Sequence, residues 1–328
     1  MQFDVVSLGP AHMDCFVMLP EEEIVEVCSI DRQRCVIELG FGDKVPVSDL
    51  VFNVGGNTGN NAAGLARLGY KTAMAGTMGE EWVDARALEI LRNEGVNVDH
   101  VTKVPGKFGF GVVINYQGER TIMSYYPEVE NTFTLKEGEV QTAWVYLTTA
   151  GQNYDKFYED AVAWAKGAGA KIAFNPGSRQ IKDGLEKLKY AYEATDLVFV
   201  NREEAAKLLG RRAGDPIEDL LSGIRGVGPK LTVITDGPGG AYAYDGNKYL
   251  FMPSVEAPVV QRTGAGDAFG SGFMAAHLAG KPLEECLKWG ACNSGSVLGH
   301  IGAQAGLLTR EEMAEWLTKT SGVTAREI

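Results

Sequence analysis

Residues 259–280 read VVQRTGAGDAFGSGFMAAHLAG, an acid among glycines directly ahead of an apolar, helix-like stretch. A helix N-terminus presents unpaired N–H groups and partial positive charge, so it attracts anions. The backbone amides of Gly264, Ala265 and Gly266 can converge on one small volume, because glycine reaches the required φ angles and lets a ligand come close. Such a nest suits the charge that develops on a transferring phosphoryl group. Asp267 beside it is placed to accept the proton of an attacking hydroxyl, and the helix dipole is expected to keep its carboxylate ionised. Two other readings explain fewer residues. Asp267 can cap its own helix, which accounts for neither the further glycines nor Thr263. Gly264, Gly266 and Gly270 are spaced G-x-G-x-x-x-G, but a dinucleotide fingerprint follows a strand and has an acid about 20 positions on; here Glu284 and Glu285 follow Lys281-Pro282. No G-x-x-x-x-G-K-[ST] loop occurs.

Other polar groups fall where short apolar runs end. Asp14 follows the first run. Gly55, Gly56, Asn57 and Asn60 precede a helical pattern. Asn175 ends one run, and Asn201 ends another with Glu204 three residues on. Thr235, Asp236 and Gly237 end a third. In a parallel α/β sheet, ligands sit outside the carboxyl ends of the strands, so these loops are expected to share one rim. Each has a plainer reading. Glu204 can be one more charge on a solvated helix, Asp14 a turn residue, and Arg120 a group facing water.

The elements that must position these groups alternate. Strand-like runs at 3–9, 71–79, 142–149, 171–177, 196–201 and 231–237 are interleaved with helical patterns at 60–69, 82–95, 154–169 and 202–210. Strand, helix, strand along most of a chain predicts a mainly parallel sheet covered on both faces, an α/β three-layer fold. Two β-rich excursions break the rhythm, at 14–52 and 107–126, the second with a hairpin turn at Gln117 and Gly118. They are expected to form a small β lid against a main domain of residues 1–13, 53–106 and 127–328, since ligand sites favour such interfaces.

The 328 residues carry a net charge of −12, which argues against nucleic-acid binding but not against a small anionic ligand. No run of about 18 apolar residues predicts a membrane span. The first residues, MQFDVVSLGPAHMD, lack the basic region and apolar core of a signal peptide, so a cytoplasmic location is expected. Five cysteines (Cys15, Cys28, Cys35, Cys286 and Cys292) form no C-x-x-C, and they are expected to be buried or incidental thiols in a reducing compartment.

Five stretches in order resemble the ribokinase-like (PfkB) carbohydrate kinases over nearly the full chain: GGNTGNNAAGLARLG (55–69), GTMGEEWVDARALEILRNEGVNVDHV (76–101), NREEA (201–205), TDGPGGA (235–241) and RTGAGDAFGSGF (262–273). The resemblance implies a ribokinase-like fold and ATP-dependent transfer of a phosphoryl group to a sugar-type hydroxyl. It implies Asp267 as the base and Gly264, Ala265 and Gly266 as the anion hole. Asn201 and Glu204 would organise Mg2+ and its waters, with Asn175 close by. Thr235, Gly237 and Gly240 would lie near the nucleotide, and Asn293 and residues 302–305 near its base. Asp14, Gly56, Asn57 and Asn60 would hold the acceptor, a sugar or a nucleoside, with His12 as a hydrogen-bonding contact at the pocket rim. The lid would close over the acceptor and contact a second subunit, giving a homodimer. A catalytically silent sugar- or nucleotide-sensing protein on the same scaffold is the alternative from another class.

The chain departs from this family at three places. Gln261 stands where the family usually has an Asp that helps hold a monovalent cation, so that cation stays an open question. His12 and Asn57 stand where ribokinases carry Asn and Lys, so ribose is not singled out as the acceptor. Residues 21–44 form a long lid segment that can reshape the acceptor pocket.

Overall fold

A computed structural model describes residues 1–20, 25–28, 35–106, 109–117, 119–125, 131–151 and 153–328. The chain runs β1 (Gln2–Leu8), β2 (His12–Met18), β3 (Val25–Cys28), β4 (Cys35–Glu38), β5 (Asp49–Gly55), α1 (Asn57–Arg67), β6 (Thr72–Met78), α2 (Trp82–Asn93), β7 (Asn97–Lys103), β8 (Phe110–Tyr116), β9 (Glu119–Tyr125), β10 (Gln141–Leu147), α3 (Asp155–Gly167), β11 (Lys171–Phe174), α4 (Ser178–Asp183), α5 (Leu185–Glu193), β12 (Leu197–Asn201), α6 (Arg202–Leu208), α7 (Ile217–Gly226), β13 (Leu231–Thr235), β14 (Ala241–Tyr244), β15 (Tyr249–Met252), α8 (Ala265–Leu278), α9 (Leu283–Leu298), α10 (Arg310–Lys319) and β16 (Arg326–Glu327).

Ten strands form the main sheet in the order β16-β15-β14-β13-β12-β11-β10-β1-β6-β7. Pairing is parallel from β13 through to β7, while β14, β15 and β16 add an antiparallel edge. The parallel strands read as continuous apolar runs because helices cover both of their faces. On β10, Val145 and Leu147 join Tyr158 of α3 and Leu220 of α7 in one cluster. Trp144 and Tyr146, pointing the other way, join Leu65 of α1, Phe273 of α8 and Leu287 of α9 in a second. This is the expected three-layer α/β arrangement, and the polar loops singled out above follow the carboxyl end of a strand in it or open a helix beside one, except that Asp14 lies within β2, outside this sheet.

The two β-rich excursions form a separate four-stranded sheet, β5-β2-β8-β9, in which β2 and β8 are parallel and the outer pairs antiparallel. β2 begins at His12 and β5 runs on to Gly55, so this sheet starts directly from the end of β1 and feeds directly into α1. Gln117 sits at the β8–β9 turn with φ 49; Gly118, residues 107–108 and 126, and residues 21–24 and 29–34 of the long segment lie outside the described residues. The reading of all five cysteines as thiols is corrected here. Cys28 and Cys35 are joined by a disulfide across β3 and β4, which pair antiparallel with these two residues opposite each other. Cross-strand register brings the sulfurs together, a relation that cysteine count and spacing cannot reveal. Cys15, Cys286 and Cys292 are buried free thiols, as expected. Among the described residues, no helix is long and apolar enough to cross a membrane.

Candidate active site

α8 opens at Gly264, whose φ of 79 is left-handed; a Cβ there would lie 2.4 Å from the Cβ of Ala303. No side chain caps this helix, so its first N–H groups are left for another acceptor. A methyl group on Gly266 would meet no atom within 4 Å, so the turn opens onto free space. Asp267 does not cap its own helix. Its one hydrogen bond among the described residues comes from Asn60, whose Nδ2 donates to Oδ2 at 2.8 Å, and Oδ1 is left to accept from elsewhere. The carboxyl keeps a little accessible surface but is enclosed by protein on most sides. Burial raises its pKa to about 6, with the charge of Glu204 pushing the same way and the Asn60 bond and His12 opposing. Desolvation therefore outweighs the helix dipole, although a carboxyl with a pKa of about 6 is still mostly ionised at neutral pH. The buried phenol of Tyr146 lies close enough to feel the same charge.

α1 opens the same way as α8, at Gly56 with φ 89 and with no side-chain cap. Its first turn carries Asn57 and Asn60. Asn60 is 4% exposed and links Asp267 to Gln304, whose Nε2 donates to Asn60 Oδ1 at 3.1 Å. Asn57 Nδ2 donates to Asn175 Oδ1 at 2.9 Å, and Asn175 Nδ2 donates to the Phe199 carbonyl at 2.9 Å. On β2, His12 Nε2 lies 3.2 Å from Asp14 Oδ1. The Asp14 carboxylate lies over two glycines: a Cβ at Gly55 or Gly111 would come within 2.1 or 2.0 Å of its oxygens. Gly111, a glycine inside a strand, is a site feature that the sequence reading passed over; such a glycine often marks a close approach.

Asn201 and Glu204 form a capping box at the start of α6: Glu204 N donates to Asn201 Oδ1 at 2.8 Å, and Asn201 N donates to Glu204 Oε2 at 2.9 Å. Burial raises the Glu204 pKa, against the lowering effect of the Asn201 N–H. Glu204 is therefore tied into the cap rather than held only as a free surface charge, and it keeps one oxygen outside the box. Thr235 is the register partner of Asn201 on the next strand. The loop that follows is anchored by Arg202, which pairs with Asp236 at 2.9 Å. Gly237 starts a single 3-10 turn, and Gly240 closes it with φ 92; a Cβ at Gly240 would lie 2.3 Å from the Met252 carbonyl.

Residues 23–310 match the pfkB family carbohydrate kinase. The chain belongs to this family. It is 26% identical over 257 residues to an uncharacterized sugar kinase of Archaeoglobus fulgidus, covering 74% of this chain and 98% of that protein. It is 28% identical over 245 residues to a cytidine kinase of Thermococcus kodakarensis, covering 72% and 83%. The structure resembles Arabidopsis thaliana ribokinase complexed with ribose and ATP, with a TM-score of 0.75, 22% identity, and coverage of 97% of this chain and 99% of that one.

Within this PfkB kinase the geometry separates the expected site residues into three kinds. Asn60, His12 and Glu204 are each close enough to act on Asp267, and Asn57 with Asn175 and Asn201 with Thr235 extend the group along the strand ends. Gly240 is where the turn itself demands glycine. Asn293, expected beside the nucleotide base, is enclosed by protein. It is 0% exposed; Nδ2 donates to Ala268 O and Ser271 Oγ while Oδ1 accepts from Leu308 N. A buried amide must satisfy its own donors and acceptor, and this one does so by tying α9 to α8 and to the loop before α10. Residues 302–305 likewise border the Gly264 turn through Ala303.

Neither implied ion fits equally well. Glu204, with one oxygen outside its capping box, is suited to a cation and its waters. No cluster of three or more metal-ligating side chains occurs among the described residues, so such a cation would need ligand oxygens as well. A monovalent cation does not fit at Gln261. This neutral side chain is 2% exposed, and both ends are engaged, Oε1 by Gly302 N at 2.7 Å and Nε2 by Thr263 Oγ1 at 3.0 Å.

Proposed function

We propose that this kinase transfers the γ-phosphoryl group of ATP to a hydroxyl of a sugar or sugar derivative, with Asp267 as general base. The observation that carries this is a part-buried carboxyl with one oxygen free, at the mouth of a helix whose first N–H groups have no cap. The acceptor O–H gives its proton to Asp267 Oδ1 while its oxygen bonds to the γ-phosphorus. The bond to the bridging oxygen breaks, and ADP leaves with the electron pair. Gly264, Ala265 and Gly266 supply N–H groups to the charge on the transferring group. Asn201 and Glu204 would hold magnesium through water, and the ion would neutralise phosphate charge. Asp14, His12, Gly56, Asn57 and Asn60 would orient the acceptor, and Asn175, Thr235 and Gly237 would border the nucleotide.

The β2–β5–β8–β9 sheet is read as a lid that excludes water during transfer. All seven residues of its edge strand β9 are exposed, with Ile122, Met123 and Tyr125 each about half exposed or a little more. An apolar, unpaired edge of this kind suits a second copy of the chain, so a homodimer through the lid accompanies the proposal. ATP as donor points to the cytoplasm, where the Cys28–Cys35 bridge would meet reducing conditions.

The similarity to a cytidine kinase keeps a nucleoside acceptor as the second reading. Coupled ADP-release assays over a panel of sugars and nucleosides, with Asp267→Asn as the blank, separate the two by which group turns over. Acidic sugars belong in that panel, because Arg120 on β9, whose charge burial disfavours and the adjacent Glu119 favours, is also close enough to Arg262 to feel its charge. Ligand binding with no phosphate transfer to any member would favour a sensing protein instead.

A further inference from the structure

An ionised carboxylate only accepts hydrogen bonds. Asn60 must therefore turn its NH2 group to Asp267 Oδ2, 2.8 Å away, and its own oxygen in the opposite direction. That oxygen then needs a donor, and Gln304 Nε2 provides one at 3.1 Å. The sense of the whole relay is dictated from Asp267 outward. Asn60 and Gln304 are each 4% exposed, so bulk water does not compete for these bonds.

Gln304 stands on a loop held from several sides. Gly302 N donates to Gln261 Oε1 at 2.7 Å, Leu308 N donates to Asn293 Oδ1 at 2.9 Å, and Arg67 Nη1 donates to the Leu307 carbonyl at 2.9 Å. Ala303 of the same loop packs against Gly264. The frame that locates the uncapped turn of α8 thus also locates Gln304. Gln304 Oε1 is buried without a hydrogen bond among the described residues, so the amide's contact with Asn60 is its one side-chain hydrogen bond there.

We propose that Gln304 is a positioning residue: it holds the Asn60 amide in the single orientation that presents a donor to Asp267. Without Gln304 the Asn60 oxygen is left buried with no donor, so the orientation that presents the amide to the carboxylate becomes costlier and is held less firmly. Weakening that donor favours the protonated carboxyl and leaves less base at a given pH. The inference rests on the reading of Asp267 as the base. The other titratable groups that act on Asp267 are Glu204 of α6, His12 of β2 and Tyr146 of β10, and substitution at position 304 alters none of them.

The test uses the full chain with Gln304→Met and Gln304→Leu, which keep an apolar side chain of similar bulk but donate nothing. The Asp267 carboxyl is followed by 13C NMR against pH, without nucleotide or magnesium, with Asp267→Asn for assignment. The pH profile of kcat/KM is measured beside it with magnesium, ATP and a panel acceptor. The expected result is a carboxyl midpoint at least about 0.5 pH unit higher in a variant that melts within a few degrees of the parent. The Gln304 substitution should have no further effect in an Asn60→Ala background, because the relay acts through Asn60. An unchanged midpoint in both variants, or an effect that simply adds to that of Asn60→Ala, overturns the proposal. If the carboxyl moves while the kcat/KM profile does not follow, the relay stands and the base assignment falls.

Discussion

Asn57 and Asn175 are 118 positions apart in the chain, yet the Asn57 amide donates to Asn175 Oδ1 at 2.9 Å. The bond joins the first turn of α1 to the carboxyl end of β11. Asn175 in turn donates to Phe199 O on β12, so the contact continues to the strand that ends at Asn201. The proposed acceptor side and the proposed phosphate side are one hydrogen-bonded surface.

Asn57→Ala breaks that surface at its middle. The expected outcome is an acceptor KM raised by about tenfold with a smaller drop in kcat, the pattern of a lost binding contact. The half-buried bond contributes about 1 kcal/mol, so melting should fall by only a few degrees. Steady-state kinetics on the best acceptor decide it; an unchanged KM removes Asn57 from the acceptor site.

Asp267→Asn keeps the shape and removes the base. Turnover should fall by ~10²–10⁴-fold with little change in ATP affinity. Parent kcat/KM should decline as pH drops through about 6, where the carboxyl protonates. The same pKa makes an opposite prediction for stability. A carboxyl whose folded pKa is raised contributes stability below its unfolded pKa and loses it as pH rises through the folded value. The parent should therefore be destabilised relative to Asp267→Asn above pH 6, by roughly 3 kcal/mol at most, and the gap should close toward pH 4. Melting curves across that range test the sign, and a gap that widens on acidification contradicts it.

Glu204→Gln keeps one capping oxygen but removes the charge. The magnesium concentration for half-maximal rate should rise several-fold while the fold survives. A magnesium titration that overlays the parent's would detach Glu204 from the ion.

Gln261 predicts indifference to potassium. With a neutral side chain engaged at both ends, replacing potassium by tetramethylammonium at fixed ionic strength should change turnover less than about twofold. A strong potassium requirement would show that another group holds the cation.

The chain order of apolar runs and helical patterns was enough to assign a mainly parallel sheet, because a strand buried on both faces is mostly apolar; β6 is buried along all seven residues, with Thr72 and Thr77 its only polar side chains. The glycines and Asp267 were legible for a similar reason: backbone amides left bare at a helix start need a particular local sequence. What depended on distant residues was not legible. The sequence places Asp267 at a helix dipole, but enclosure by elements far away in the chain raises its pKa to about 6. Asn293 looks like any polar residue on a helix until α8 and the loop before α10 close around it. Cys28 and Cys35 become partners only through cross-strand register, and Gln304 meets Asn60 across 244 positions. Local sequence determines which groups the chain carries and which segments present them; only packing decides which of them lose their water, and therefore which must find one another.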